Sequence, residues 1–296
     1  MTHMNVAILG SGQIGTDLLT KLSKLPEFKV VLVSGRRDDS PGLKIAKEMN
    51  IPTSTSGLKG VLAFKGLDVL IDCTSAADHI LHWEALKELE IHVLDMTPAK
   101  IGDVYIPNVL RTKSKVEQKY LNLNLVTCGG QSSAPLVSAL SKILKISRVE
   151  IASNIASLSA GPATRANIDE YIDTTEKVLT AVSGAKETKA ILILNPAVPP
   201  ITMQTTIYID FESDTVIENN VILDQINLVV RQMQTYVPGV RLLIRPVIAA
   251  NRLTITLQVK GNGDYLPSYS GNLDIINAAA IQALFELHRR NLEVSK

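Results

Sequence analysis

Thr127-Cys128-Gly129-Gly130-Gln131 is the stretch of this sequence richest in chemistry. It joins an apolar run, residues 123–126, to an amphipathic helical pattern beginning near Ala134, which sets Cys128 at or before a helix N-terminus. There the helix dipole and free backbone amides favour a thiolate, and the same amides can hold an oxyanion. The flanking glycines leave room for a substrate; the competing explanation is a small residue packed into a Gly-rich turn. The other cysteine, Cys73 in Asp72-Cys73-Thr74-Ser75-Ala76, ends an apolar run and suits packing or a cofactor contact better than nucleophilic attack.

Gly10-Ser11-Gly12-Gln13-Ile14-Gly15 follows the first apolar run and opens a helical pattern, the context a dinucleotide fingerprint requires. Gly10 is expected to make the tight turn, Gly12 to let a pyrophosphate approach the backbone, and Gly15 to let helix and strand pack closely. At the end of the second apolar run, where such folds place an acidic residue for the ribose 2′-hydroxyl, the chain reads Val33-Ser34-Gly35-Arg36-Arg37. Two guanidiniums bind a 2′-phosphate in bidentate fashion, so NADP is expected ahead of NAD; the alternative is a solvated loop pair. Ser159-Ala160-Gly161-Pro162-Ala163-Thr164-Arg165-Ala166-Asn167 reads as a small-residue loop before the helical pattern of residues 168–182. Its amides and polar side chains could face a nicotinamide and its ribose, with Arg165 holding an anionic group; an ordinary surface loop explains it equally well. Residues 265–274 read as a loop capping the last helix through Asn272 or Asp274.

These segments lie between short apolar runs and longer amphipathic ones. Residues 6–9, 29–33, 69–72 and 92–95 read as strands, and 16–25, 42–49 and 77–89 as helices. The alternation predicts βαβ units in a doubly wound parallel sheet, with a ligand crevice beyond the carboxyl ends of its strands. After about residue 127 the strands lengthen and alternate, at 149–156, 203–209 and 253–259, as in a mixed sheet with one face against another layer. The fold class is therefore α/β, with a Rossmann domain over residues 1–127 and an α+β mixed-sheet domain over 128–272. The helical pattern of 273–296 is expected to pack back on the first domain.

Composition bounds the function. The chain has 296 residues, 30 Lys and Arg against 29 Asp and Glu, 46% hydrophobic and 20% charged residues. That excludes a disordered chain or coiled coil, and a net charge of +1 gives no footprint for nucleic acid or an anionic membrane. No run approaches the roughly 18 uncharged apolar residues of a membrane span. Residues 4–9 are too short for a secretory segment, and two cysteines cannot build a disulfide framework, so a cytoplasmic protein is expected.

Taken together, the Gly10–Gly15 fingerprint, Asp72–Ala76, Val126–Gln131, residues 159–170, Asn195-Pro196-Ala197, Tyr236-Val237-Pro238-Gly239 and residues 265–275 resemble the acylating acetaldehyde dehydrogenases, nearly end to end. These are the short two-domain enzymes that work with 4-hydroxy-2-oxovalerate aldolases. The resemblance implies a fold similar to glyceraldehyde-3-phosphate dehydrogenase, whose second domain is catalytic and dimerises, and the reaction aldehyde + CoA + NAD(P)+ to acyl-CoA + NAD(P)H. It implies Cys128 as the nucleophile. The residues from Ser11 to Ile14, those from Ser159 to Asn167, and Asn272 match the family's cofactor contacts. Leu273 lies where the family has its gate between an aldolase channel and the active site. A homodimer, an aldolase partner and coenzyme A as co-substrate follow from the same likeness.

The chain departs from the family in three places. Where the family carries its general base, in a Met-Arg-Asp-Thr pattern, the sequence reads Met203-Gln204-Thr205-Thr206, and Thr205 cannot accept a proton near neutral pH. Asp210, at an odd offset along the same strand, points to the opposite face. The excursion after Ile248 is cut to Ala249-Ala250-Asn251, and an acidic residue has become the Arg36-Arg37 pair. A thiolate formed by a helix end needs no base, so acyl-CoA reduction is the expected direction. A phosphorylating relative would need a His partner for its Cys, yet His3, His79, His82, His92 and His288 all lie outside the stretch from Cys128 to Asn272. His79 and His82 share a helix, but no Cys or carboxylate cluster completes a set of ligands, so no metal is expected. The second reading is a catalytically weakened NADP-binding homologue that partners an aldolase-like enzyme.

Overall fold

The computed structural model describes residues 3–109, 120–212 and 218–294. The first half alternates strands and helices: β1 (Met4–Leu9), α1 (Gln13–Leu22), β2 (Phe28–Ser34), α2 (Pro41–Glu48), β3 (Thr53–Ser54), α3 (Leu58–Leu62), β4 (Val69–Asp72), α4 (Ala76–Leu86), β5 (His92–Asp95), β6 (Asp103–Val104) and β7 (Asn122–Asn124). The strands form one seven-stranded sheet in the order β3-β2-β1-β4-β5-β7-β6, every pairing parallel. Val69 to Asp72 and His92 to Asp95 are buried along their whole length, as strands covered by helices on both faces must be. The order reverses direction between β1 and β4, so the chain leaves a crevice where Gly10 and Cys73 follow their strands. The expected doubly wound sheet is present; α1 starts earlier than residue 16, because Gly12 carbonyl accepts the Thr16 amide and closes a first turn at Gln13.

The second half comprises α5 (Cys128–Leu140), β8 (Ile146–Ala156), a 3₁₀ turn (Ser157–Ser159), α6 (Pro162–Ala166), α7 (Ile168–Ser183), β9 (Glu187–Asn195), β10 (Met203–Phe211), α8 (Asn219–Gln234), β11 (Val240–Leu242), β12 (Val247–Ala249), β13 (Arg252–Val259) and α9 (Gly271–Val294). Its mixed sheet runs β11-β13-β10-β8-β9, with β12 on β13 and only β8 and β9 parallel. Met203, Thr205, Ile207, Ile209 and Phe211 face inward and the residues between them face out, the period-2 pattern of a sheet with one covered face.

The long helix α9 lies against α1, α5, β5 and β13. Its buried stripe includes Ala279, Ala280 and Ala283, whose small side chains allow that close approach. Phe285 meets Phe28 edge-on at 4.9 Å, and His92 Nε2 donates to Asn291 at 3.1 Å because its Nδ1 already accepts the Leu121 amide. Lys21 of α1 is buried among Asp17 at 2.6 Å, Asp274 at 2.9 Å and Asp264 at 3.0 Å, which fixes the start of α9 over the first sheet. The expected capping role of Asn272 and Asp274 is corrected: both lie inside α9, whose first turn closes through the Asp274 amide and Ser270 carbonyl. Among the described residues no helix is long and apolar enough to cross a membrane.

Candidate active site

Cys128 is the first residue of α5, and the helix does not wait for Ala134 as the apolar pattern suggested. Thr127 supplies the start: its side chain accepts the Gly130 amide at 2.9 Å, which holds two glycines in helical conformation despite their poor propensity. Pro135 consequently sits inside the helix. Before the cap, Val126 adopts a positive φ of 54°, a conformation β-branched residues rarely take and one that costs on the order of 1–3 kcal/mol. Asn124 Oδ1 accepts the Val126 amide at 3.1 Å, and Gln131 donates to the Tyr105 and Leu125 carbonyls at 2.9 and 2.8 Å. The turn that presents Cys128 is thus held from both sides.

The chemistry of the thiol differs from the expectation. Burial pushes the Cys128 thiol up to about 11, against the lowering effects of Tyr171 and of the Gly129 and Cys128 amides. A helix start alone favours a thiolate; here desolvation outweighs it, and the resting residue is a neutral thiol. Its Sγ lies 3.8 Å from the Tyr171 hydroxyl on α7. A Cβ on Gly129 would overlap that hydroxyl, so glycine is required for the approach.

Behind the thiol runs a set of hydroxyls. Tyr171 hydrogen-bonds Ser153 of β8, Ser153 lies 3.3 Å from the Thr205 hydroxyl of β10, and Thr205 lies 2.9 Å from Ser132 of α5. Ser132 donates to the Gly129 carbonyl at 3.0 Å, which closes the set beside the cysteine. Thr205 is fully buried and faces this set. Asp210 lies on the outer face of β10, as its odd offset predicted, and binds Arg252 through two hydrogen bonds of 2.6 and 2.8 Å. Tyr171, Ser153 and Ser132 escaped the sequence reading. The one signal available was that Tyr171, Thr174 and Thr175 place hydroxyls on the buried stripe of α7.

The glycine fingerprint has the expected geometry. Gly10 has φ +107°, and a Cβ there would stand 2.7 Å from the Cys73 carbonyl; a Cβ on Gly15 would overlap the Gly10 carbonyl. Both are demanded by strand and helix. Gly12 differs, since a Cβ there would meet nothing within 4 Å, and the open space in front of it is what a pyrophosphate needs. Burial, and then the Asp72 and Asp95 charges, push the Cys73 thiol well up, consistent with a packed residue.

Residues 159–167 face this fingerprint: a Cβ on Gly161 would come to 3.8 Å from the Gln13 side chain, and Asn272 donates to the Ser159 carbonyl at 3.4 Å. The segment is no loop, because Pro162 opens the one-turn helix α6, which contains Ala163, Thr164, Arg165 and Ala166. Arg165 donates to the Ala160 and Ser157 carbonyls at 3.0 and 2.9 Å, which braces its own segment. Asn272 Oδ1 is buried without a partner among the described residues, and Leu273 is buried beside it. An orphaned amide oxygen and an open glycine together fit a nicotinamide dinucleotide. Arg36 and Arg37 have side chains 79% and 78% exposed, and their acidic neighbours Asp78 and Asp39 stand off at 3.8 and 4.0 Å.

Residues 5–110 match the family model for the NAD-binding domain of semialdehyde dehydrogenases, and residues 128–267 match the dimerisation domain of prokaryotic acetaldehyde dehydrogenase. Curated relatives carry the name acetaldehyde dehydrogenase. That of Pectobacterium atrosepticum is 47% identical over 95% of this chain and 96% of its own. That of Geobacillus stearothermophilus is 45% identical over 99% and 98%, and that of Spirochaeta aurantia 46% over 94% and 92%. With a nicotinamide crevice and a cysteine set at a strained turn already in place, identity of this extent over nearly the whole length shows that the chain belongs to the acetaldehyde dehydrogenase family of oxidoreductases.

Proposed function

We propose that the chain is a CoA-acylating aldehyde dehydrogenase that works mainly as an acyl-CoA reductase, with Cys128 as nucleophile. The observation that carries this reading is Cys128 as the first residue of a capped helix, behind a strained Val126. Cys128 sulfur attacks the acyl-CoA carbonyl and CoA leaves as its thiol, one S–H exchanged for another. A nicotinamide held in the crevice would supply hydride to the resulting thioester. Collapse of the thiohemiacetal alkoxide then frees aldehyde and returns the sulfur. No base is needed at the hydride step in this direction. The reverse reaction must remove a hydroxyl proton from the thiohemiacetal, and Thr205 offers no carboxylate for it.

Gly10 to Gly15, residues 159–167 and Asn272 are proposed to hold the cofactor, and Leu273 to gate the substrate. Arg36 and Arg37 are proposed to select NADP, their exposed guanidiniums being free to clamp a 2′-phosphate. Residues 1–127 form the nucleotide domain and 128–272 the catalytic and dimerisation domain of a cytoplasmic homodimer, and an aldolase is the proposed partner. Support for the dimer is the match of residues 128–267 to a dimerisation domain.

The purified protein is expected to oxidise NADPH with at least one member of a panel of short and aromatic acyl-CoAs. Cys128→Ser should lower that rate on the order of a thousandfold or more. Arg36→Ala with Arg37→Ala should weaken NADPH binding by about tenfold and leave NADH binding unchanged. Absence of NADPH oxidation across the panel, with NADPH still bound, would favour the second reading of a weakened cofactor-binding partner, which the raised value of the half-buried thiol supports.

A further inference from the structure

We infer that Tyr171 is a catalytic residue, its phenol O–H donating to the Cys128 sulfur as the thiolate forms. The inference rests on the reading of Cys128 as nucleophile. Four observations place the phenol on the reacting atom rather than merely in the core. Its oxygen is 3.8 Å from Sγ, within reach of a hydrogen bond to sulfur. Gly129, the residue next to the nucleophile, is the one residue type that permits this approach. Thr175 donates to the Tyr171 carbonyl at 2.6 Å and shares a 2.7 Å hydrogen bond with Thr127, so the turn of α7 that carries Tyr171 is tied to the cap that carries Cys128. On its far side the phenol is hydrogen-bonded to Ser153, which Thr205 in turn holds.

The hydroxyl set also says what Tyr171 does not do. It runs through Ser153, Thr205 and Ser132 and ends on the Gly129 carbonyl, which cannot take up a proton. Burial holds the phenol well above its ordinary titration range. Tyr171 therefore keeps its proton through the cycle and serves as a neutral donor. In the resting state the thiol points its S–H at the phenol oxygen; acyl exchange passes that proton to CoA and leaves the sulfur acylated and neutral. The phenol O–H turns to the sulfur when collapse of the thiohemiacetal alkoxide releases it as a thiolate, which a proton from solvent returns to the resting thiol. The number of protons on the enzyme before and after acyl exchange then differs only by the one delivered to CoA.

Tyr171→Phe retains the ring and removes the donor. The test is the pH dependence of Cys128 alkylation by iodoacetamide in the full-length protein, followed by mass spectrometry of the Cys128 peptide with Cys73 read separately. The midpoint for Cys128 is expected to move upward and the rate near pH 8 to fall about tenfold, with kcat for acyl-CoA reduction falling in parallel and KM for NADPH unchanged. Ser153→Ala, which loosens the phenol without deleting it, should move the midpoint in the same direction by less, and it serves if the Phe variant does not fold. A Tyr171→Phe profile superimposable on the parent overturns the inference, as does an equal shift in Ser132→Ala, whose hydroxyl belongs to the same set but does not touch sulfur. Alkylation does not depend on turnover. If Cys128→Ser keeps acyl-CoA reductase activity, the nucleophile reading falls, while the alkylation profiles still report on Tyr171.

Discussion

Two buried polar clusters sit at the ends of strands in this molecule, and they are built from opposite materials. In the first sheet Asp72 and Asp95, at the carboxyl ends of β4 and β5, surround His79 of α4: Asp72 Oδ2 is 2.8 Å from the Nδ1 atoms of both His79 and His82, and His79 Nε2 is 3.5 Å from Asp95. Burial would raise Asp72, but hydrogen bonds from His79, His82 and Thr74 overcome it and hold the carboxylate far below its usual range. Burial lifts Asp95 to about 6. Burial would lower His79, yet Asp72 and Asp95 win and raise it. The cluster around Cys128 contains hydroxyls and a thiol in place of charges. A charged cluster gains its rigidity from paired ions that are costly to separate; a neutral one avoids that cost but leaves the thiol with only dipoles to stabilise its anion. The chain has put charge where it must hold strands and withheld it around the thiol.

Breaking the charged cluster is expected to have the largest effect. His79→Ala leaves buried Asp72 without one of its two imidazole partners, and should cost about 3–5 kcal/mol of stability, measured by urea unfolding. The parent protein should also show a pH signature. A histidine with a raised folded value contributes stability that is complete below its unfolded value of 6.5 and lost as pH climbs through the folded value. Asp95 loses its contribution lower, between 3.8 and about 6, so above pH 6.5 the decline belongs to His79. Melting temperature is expected to fall over that range, and a flat profile would count against a charged His79.

Adding charge to the neutral cluster is the converse experiment. Thr205→Asp puts a carboxylate between Ser132 and Ser153, fully buried, and should cost about 1–3 kcal/mol. In exchange it should raise aldehyde oxidation relative to acyl-CoA reduction, by tenfold to a hundredfold on the order expected of a general base. Initial rates in both directions with the same acyl group measure this. An unchanged ratio would show that direction is set elsewhere.

How much of each cluster was legible follows from the distances over which its parts pair. The glycine fingerprint could be read directly, because Gly10 and Gly15 answer to one turn and Gly12 to the open space in front of it. Cys128 was legible as a cysteine before a helix, although the helix start was misplaced: the apolar pattern begins at Ala134, whereas the start is decided by a single hydrogen bond from Thr127. Asp72 and Asp95 were visible as strand ends and His79 as a helical histidine. Only the adjacency of β4 and β5 joins them, and that is a property of topology. Tyr171, Ser153 and Ser132 were hidden for the same reason, lying on three elements that meet only in the fold. The expectation of a base at the position of Thr205 came from the family likeness, since a threonine in an alternating strand is unremarkable by itself. The thiol's raised value could not be read from position along the chain, because desolvation depends on what closes over the sulfur.

The smallest expected effect separates the two kinds of cluster most finely. Thr127→Ala removes the cap on Gly130 and the hydrogen bond to Thr175, and a lost cap costs about 1 kcal/mol. In the charged cluster the corresponding cap is Ser75, whose side chain accepts the Asp78 amide at 3.2 Å, and Ser75→Ala should cost a similar amount. The consequences for the neighbouring cysteines should differ. Thr127 is tied through Thr175 to Tyr171, so losing it should slow Cys128 alkylation as well as lower the urea midpoint. Ser75 holds a helix whose buried ions are already fixed by one another, so its loss should leave Cys73 as unreactive as before. If Thr127→Ala lowers stability without touching Cys128 reactivity, the tie between cap and phenol is only structural, and the neutral cluster is no more than a hydrogen-bonded core.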